Sequence, residues 1–262
     1  MHPLDGCRVK IDRARFHIDE MRASVRAFID RSPFKVRGDV HETTREVVFI
    51  AEADPEFAGV PLGITLIAGE VVHQLRSALD HLVWRLVVAN TGRPPPGTKS
   101  GFPIFRDAAG YASQRAQAMI VGVSAQAAVR IEAAQPYHAG PDAEKVLIWV
   151  LHELNNTDKH RMIPVTTTYT FVGHVRIIRT DGSFVDILPP QEEMRHALHD
   201  GMEIARVQMT DGMDGVTFDI PLGFDVAFDQ AGGVIRHPTT SLLIDATEYV
   251  SRLIESFGDE FS

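Results

Sequence analysis

Residues 62–90, LGITLIAGEVVHQLRSALDHLVWRLVVAN, follow the turn signals Pro55, Gly59 and Pro61. At 3.6 residues per turn they read as one helix of about eight turns. Successive residues rotate by about 100°, which gathers Val71, Leu75, Ala78, Leu79, Leu82 and Leu86 on one broad apolar stripe. Glu70, His73, Ser77, Asp80, His81 and Trp84 fall on the opposite side, within about 100° of arc. The first stripe is core. A plain solvent face would carry Lys and Glu four apart and no Trp. The second stripe therefore reads as a polar surface that meets something, either a ligand or a neighbouring helix whose register it fixes.

To its N-terminal side, residues 8–30 carry Phe16, Ile18, Met21, Val25, Phe28 and Ile29 among charges at a mostly three-and-four spacing, an amphipathic helix ended by Ser32-Pro33. Phe34 to His41 and Glu46 to Ala53, with Thr43-Thr44 between them, predict a β-hairpin. Beyond Asn90, Thr91-Gly92-Arg93 opens a proline-rich connector, Pro94-Pro95-Pro96-Gly97, leading to Phe102-Pro103-Ile104-Phe105. Shorter helices are expected near 110–119 and 124–134, and another at 143–158 with Asp142 as its N-cap. After Pro164 the period changes to two. Val165 to Val172, His174 to Thr180 and Ser183 to Leu188 read as strands, with Asp181-Gly182 as a hairpin turn. Further strands are expected at 202–210, 215–220 and 223–229, and a closing helix at 239–257 after Pro238. Helices first, sheet next and one helix last predict a single α+β domain over residues 1–262, an antiparallel helical bundle with an antiparallel β-sheet packed against it.

Composition narrows the classes. A chain of 262 residues that is 44% hydrophobic and 23% charged can bury a real core, which sets aside disordered and fibrous classes. The single cysteine, Cys7, has no partner for an intramolecular disulfide, and the opening Met1 to Arg8 lacks the basic start and apolar run of a signal peptide. A cytoplasmic chain is expected. The most apolar stretch, 60–89, is interrupted by Glu70, His73, Arg76 and Asp80, so no membrane span and no membrane partner are expected. A formal net charge of −9 argues against broad adhesion to nucleic acid, so any contact with RNA must be local.

Several chemistries lack their residues. The chain has no G-x-G-x-x-G and no G-x-S-x-G, and Gly97-Thr98-Lys99-Ser100 lacks the glycine that precedes the lysine of a phosphate loop. His152-Glu153-Leu154-Asn155-Asn156 carries Asn156 where a zincin carries its second histidine. Glu70-x-x-His73 and Glu193-x-x-His196 have the spacing of paired metal ligands, but two bridging carboxylates are not evident and the second pair sits in a strand-rich region. No metal and no cofactor are expected.

The helix over 143–158 offers a surface matching the polar stripe, with Trp149, His152, Asn156 and His160 spaced by threes and fours. Its end, Asp158-Lys159-His160-Arg161, concentrates positive charge that either complements the helix dipole or receives an anion. The succession Leu75-Arg76-Ser77-Ala78-Leu79-Asp80-His81, Phe102-Pro103-Ile104-Phe105, Gln135-Pro136-Tyr137 and Asn155-Asn156-Thr157-Asp158-Lys159-His160-Arg161 resembles a group of uncharacterised bacterial proteins. More distantly, Arg76 and His81 on a bundle helix are similar to the R-x4-6-H signature of the HEPN superfamily, many of whose members are metal-independent ribonucleases. That resemblance implies a HEPN-like bundle and a homodimer, because HEPN subunits pair so that the Arg and His of two chains line one cleft.

By that resemblance Arg76 and His81 are the catalytic pair of a ribonuclease or nucleotide/RNA-binding protein in a bacterial stress or defence system. Arg76 would hold phosphate and His81 would move the proton of a ribose hydroxyl. Glu70, His73, Asp80, Asn156, Asp158, Lys159, His160 and Arg161 would bind or orient the substrate, with RNA or a nucleotide as partner. Within one chain Arg76 and His81 are about 140° apart around the helix, so the pair calls for two chains. The alternative is a non-catalytic binding or interaction protein whose His/Asp/Asn seam is structural, or a metal-binding bundle.

Overall fold

The computed structural model describes residues 2–56, 59–95, 100–171, 175–187, 197–209, 217–219, 222–230 and 233–261. It divides into two compact units, one formed by residues 1–22, 65–163 and 239–262, the other by 23–64 and 164–238. The first is helical and the second is mostly strand. Each has its own reason to fold.

In the helical unit, α1 (Asp5–Ile29) enters with Leu4, Cys7, Ile11, Ala14, Ile18 and Met21 buried in a regular three-four alternation. α2 is one continuous helix, Leu62–Thr91, matching the expected span. Its apolar stripe is sealed as the periodicity requires, with Val71, Leu75, Ala78, Leu79 and Leu82 at 0% exposure. Each buried Leu contributes about 1.5–3 kcal/mol of transfer free energy, so packing rather than intrinsic propensity holds this helix. Four more helices follow: α3 (Ala108–Tyr111), α4 (Gln114–Met119), α5 (Ala125–Ala133) and α6 (Leu147–Asp158). α7 (Thr239–Glu255) packs beside α6.

Two helix boundaries differ from the sequence reading. The helix expected over 110–119 is two short helices, because Ser113 caps α4 by accepting from Ala116 N and so breaks the run. The helix expected from 143 begins at Leu147. A 3-10 segment, Pro136–Asp142, precedes it, with Gly140 at φ +58, and the Asp142 carboxylate pairs with Lys145 Nζ at 2.7 Å.

The strand-rich unit forms antiparallel three-stranded sheets among the described residues rather than one sheet. The expected hairpin is present as β1 (Phe34–His41) and β2 (Glu46–Ala53), joined by β6 (Glu203–Gln208). β3 (Val165–Phe171) pairs with β8 (Leu222–Gln230), which pairs with β9 (Gly233–Pro238), a strand the sequence reading missed. β4 (Val175–Ile178) lies between β5 (Phe184–Ile187) and β7 (Thr217–Asp219), and Gly182 takes φ +82 in the turn predicted at Asp181-Gly182. Phe49 at 0% exposure centres this unit's core with Tyr169, Ile177 and Val207, and its ring meets Phe218 edge-on at 5.2 Å. No helix of the described residues is long and apolar enough to cross a membrane.

Candidate functional site

The site is built within the helical unit, starting from one turn of α2. Arg76 and Asp80 are four apart, and Arg76 Nη2 donates to Asp80 Oδ1 at 2.7 Å and to the Phe102 carbonyl at 2.6 Å. Phe102 N donates to the same Asp80 oxygen at 2.9 Å. The loop can approach this closely because residue 101 is glycine: a Cβ there would stand 2.9 Å from Asp80 Oδ1.

Gln135 pins the far end of the same loop. Its Nε2 donates to Pro103 O at 2.8 Å and Ile131 O at 2.9 Å, while its Oε1 accepts from Phe105 N at 3.1 Å. At 3% exposure this amide has its polar atoms engaged, so the segment Phe102-Pro103-Ile104-Phe105 is held at both ends by side chains.

That loop, α4 and α6 surround a cleft of about 240 Å³ whose lining includes Arg76, Phe105, Arg106, Arg115, Trp149 and His152. Trp149 and His152 come from one face of α6, their rings 5.3 Å apart and tilted by 32°. Asn156, one turn on, approaches His152 Nε2 with its Nδ2 at 2.9 Å. With the amide nitrogen as donor, Nε2 accepts and the ring proton sits on Nδ1. Burial, with Arg76, Lys159 and Arg115 nearby, pushes the His152 pKa down to about 4, so the ring is neutral at pH 7.

Two nitrogens stand out. Arg76 Nη1 and His152 Nδ1 are both buried and have no hydrogen-bond partner among the described residues, although both side chains line the same cleft. Burial also lowers the Arg76 pKa against the raising effect of Asp80, yet a guanidinium stays charged at any working pH. Around the cleft Arg106 is paired with Glu144 at 2.6 Å, and Arg115 makes no ion pair among the described residues. The lining carboxylate, Asp107, spends Oδ1 on Gly110 N as the N-cap of α3. The cleft therefore offers donors and positive charge in a chain of net charge −9.

The expected site residues do not all converge. Arg76, Asp80 and, through His152, Asn156 belong to the cleft. The polar arc of α2 is split between two neighbours: Glu70 Oε2 lies 3.3 Å from His17 Nδ1 on α1, while Asp80 faces the Phe102 loop. His73 between them is exposed. His81 lies by the first turn of α1, its Nδ1 4.0 Å from where a Gly6 Cβ would be, and burial with Lys10 lowers its pKa. Asp158 rests its carboxylate against Gly69 of α2. Lys159, His160 and Arg161 are exposed beyond the end of α6, with Lys159 near enough to bear on His152.

Among the described residues no cluster of three or more His, Cys, Asp and Glu is placed to hold a metal ion; Glu193 and His196 lie outside those residues. Cys7 is buried and its thiol is pushed up to about 11, which leaves it protonated and unreactive.

No protein-family model, curated protein or solved structure matches this chain. Function must therefore be read from the cleft itself. Arg106, Arg115, Phe105 and Gln135 were not singled out as site residues by helical spacing. The signal that could have found the last two was the presence of Phe102-Pro103-Ile104-Phe105 and Gln135-Pro136-Tyr137 beside the Arg76 motif, read as parts of one site.

Proposed function

We propose that this chain binds RNA or a nucleotide through a phosphate group seated in the cleft between Arg76 and His152. The observation that carries the reading is the pair of buried nitrogens, Arg76 Nη1 and His152 Nδ1, that have no partner among the described residues and belong to side chains lining one cleft. A buried donor without an acceptor costs about 1–3 kcal/mol, and a phosphate oxygen is the acceptor that suits a guanidinium best. Arg115, which makes no ion pair among the described residues, adds positive charge at the same place, the local basic site that an acidic chain needs to hold an anion.

The geometry supports binding better than cleavage. Arg76 Nη2 is committed to Asp80 and Phe102, and His81 sits by α1 and is not among the residues lining the cleft. A ribonuclease built on Arg76 and His81 would need the His81 of a second copy. Calorimetric titration with nucleotides and a short RNA tests the reading. Saturable binding, weakened about tenfold or more by exposed Arg115→Ala and by Arg76→Lys, is expected. Absence of binding by any phosphate-bearing species, or indifference to both substitutions, would overturn it.

A further inference from the structure

We infer that the cleft takes a phosphate monoester carried on a planar ring, the chemistry of a nucleoside monophosphate or of a phosphorylated RNA end, and not the internal phosphodiester of a continuous strand. The inference rests on the phosphate reading above and narrows it. Its first support is depth: the Arg76 side chain is only 11% exposed, so a phosphate that reaches it must enter end-on. A diester has chain leaving from both sides of the phosphorus, whereas a monoester has one.

The second support is the donor set. Arg76 Nη1 and His152 Nδ1 both lack acceptors, and Arg115 is uncommitted among the described residues. A monoester presents three terminal oxygens to such a set and a diester presents two. The third is volume and wall chemistry. About 240 Å³ accommodates a phosphate and part of a ring, below the range of most drug-sized sites. Half-buried Trp149 and Phe105 stand beside the arginines, and a nucleobase stacks on such rings whatever its sequence. Trp149 already lies against His152, so ring and phosphate recognition sit on one face of α6.

The full chain is titrated calorimetrically with inorganic phosphate, the four ribonucleoside 5′-monophosphates, their nucleosides, and a hexaribonucleotide with and without a 5′-phosphate. At least one monophosphate should bind about tenfold tighter than inorganic phosphate or its own nucleoside. Trp149→Leu should remove that margin, and Trp149→Phe, which keeps a ring, should restore part of it. The phosphorylated hexanucleotide binding as tightly as the monophosphate assigns the site to RNA ends; its failing to bind assigns it to free nucleotides. Equal binding of the two hexanucleotides would overturn the monoester inference but leave the phosphate reading intact. Monophosphates no tighter than phosphate would overturn the role of the ring. Failure of every phosphate-bearing species would remove the underlying reading as well.

Discussion

Asp80 Oδ1 accepts from Arg76 Nη2 at 2.7 Å and from Phe102 N at 2.9 Å, so one carboxylate oxygen fixes both the guanidinium and the loop that walls the cleft. Removing it leaves a guanidinium that is 11% exposed without its counter-charge. Asp80→Ala is expected to lower unfolding free energy by about 1–3 kcal/mol, and Asp80→Asn, which keeps an acceptor, by less. Urea denaturation of both variants measures this. An Asp80→Ala protein as stable as wild type would show that the contact has no structural weight.

His152 gives the protein a defined acid sensitivity. Its folded pKa lies near 4, below the value of about 6.5 expected for the unfolded chain. Between those values the unfolded state binds more protons, so this group's stabilising contribution is full above about pH 6.5 and is lost as pH falls towards 4. Thermal denaturation from pH 7.5 to 4.5 should show a steeper decline in wild type than in His152→Gln. An anion bound beside the ring favours its charged form, so the His152 pKa, followed by NMR, should rise on addition of a nucleoside monophosphate.

Gln135 acts on the cleft without lining it. Its buried amide holds Pro103 O and Phe105 N, and Gln135→Leu would leave both backbone groups without these bonds. The expected result is a loss of about 1–3 kcal/mol in stability together with weaker ligand binding, since Phe105 is no longer held. Binding measured well below the melting temperature separates the two effects. Unchanged affinity in a destabilised variant would restrict Gln135 to a structural role.

How far the sequence could be read depended on what each feature responds to. α2 and the β1–β2 hairpin follow local periodicity, and their limits came out within a residue or so of the expected ones. The start of α6 did not, because Asp142 pairs with Lys145 instead of capping and Gly140 breaks the chain direction. The polar arc of α2 was visible, but a helical wheel cannot show that Glu70 meets α1 while Asp80 meets a loop from residue 101 onward. Arg115 reaches the cleft from the six-residue helix α4, too short for its spacing to reveal a face. His152 was legible as a partner of the stripe, whereas an Nδ1 without a partner among the described residues is a product of tertiary packing alone.

Binding and cleavage place different demands on Arg76 and His81. Incubated with RNA in EDTA, the protein is expected to bind without cutting, because His81, the proton carrier that a ribonuclease built on Arg76 requires, is not among the residues lining the cleft. His81 lies by the first turn of α1, about 140° around the helix from Arg76. The HEPN-like alternative predicts the opposite: EDTA-resistant cleavage, abolished by Arg76→Ala and by His81→Ala. Mixing those two inactive variants decides between one chain and two. A mixed dimer would keep one intact pair, Arg76 from one chain and His81 from the other, and would recover part of the activity. Cleavage that reappears on mixing would establish a two-chain ribonuclease site and displace the binding reading. Cleavage lost in His152→Ala but kept in His81→Ala would instead make the cleft histidine the proton carrier.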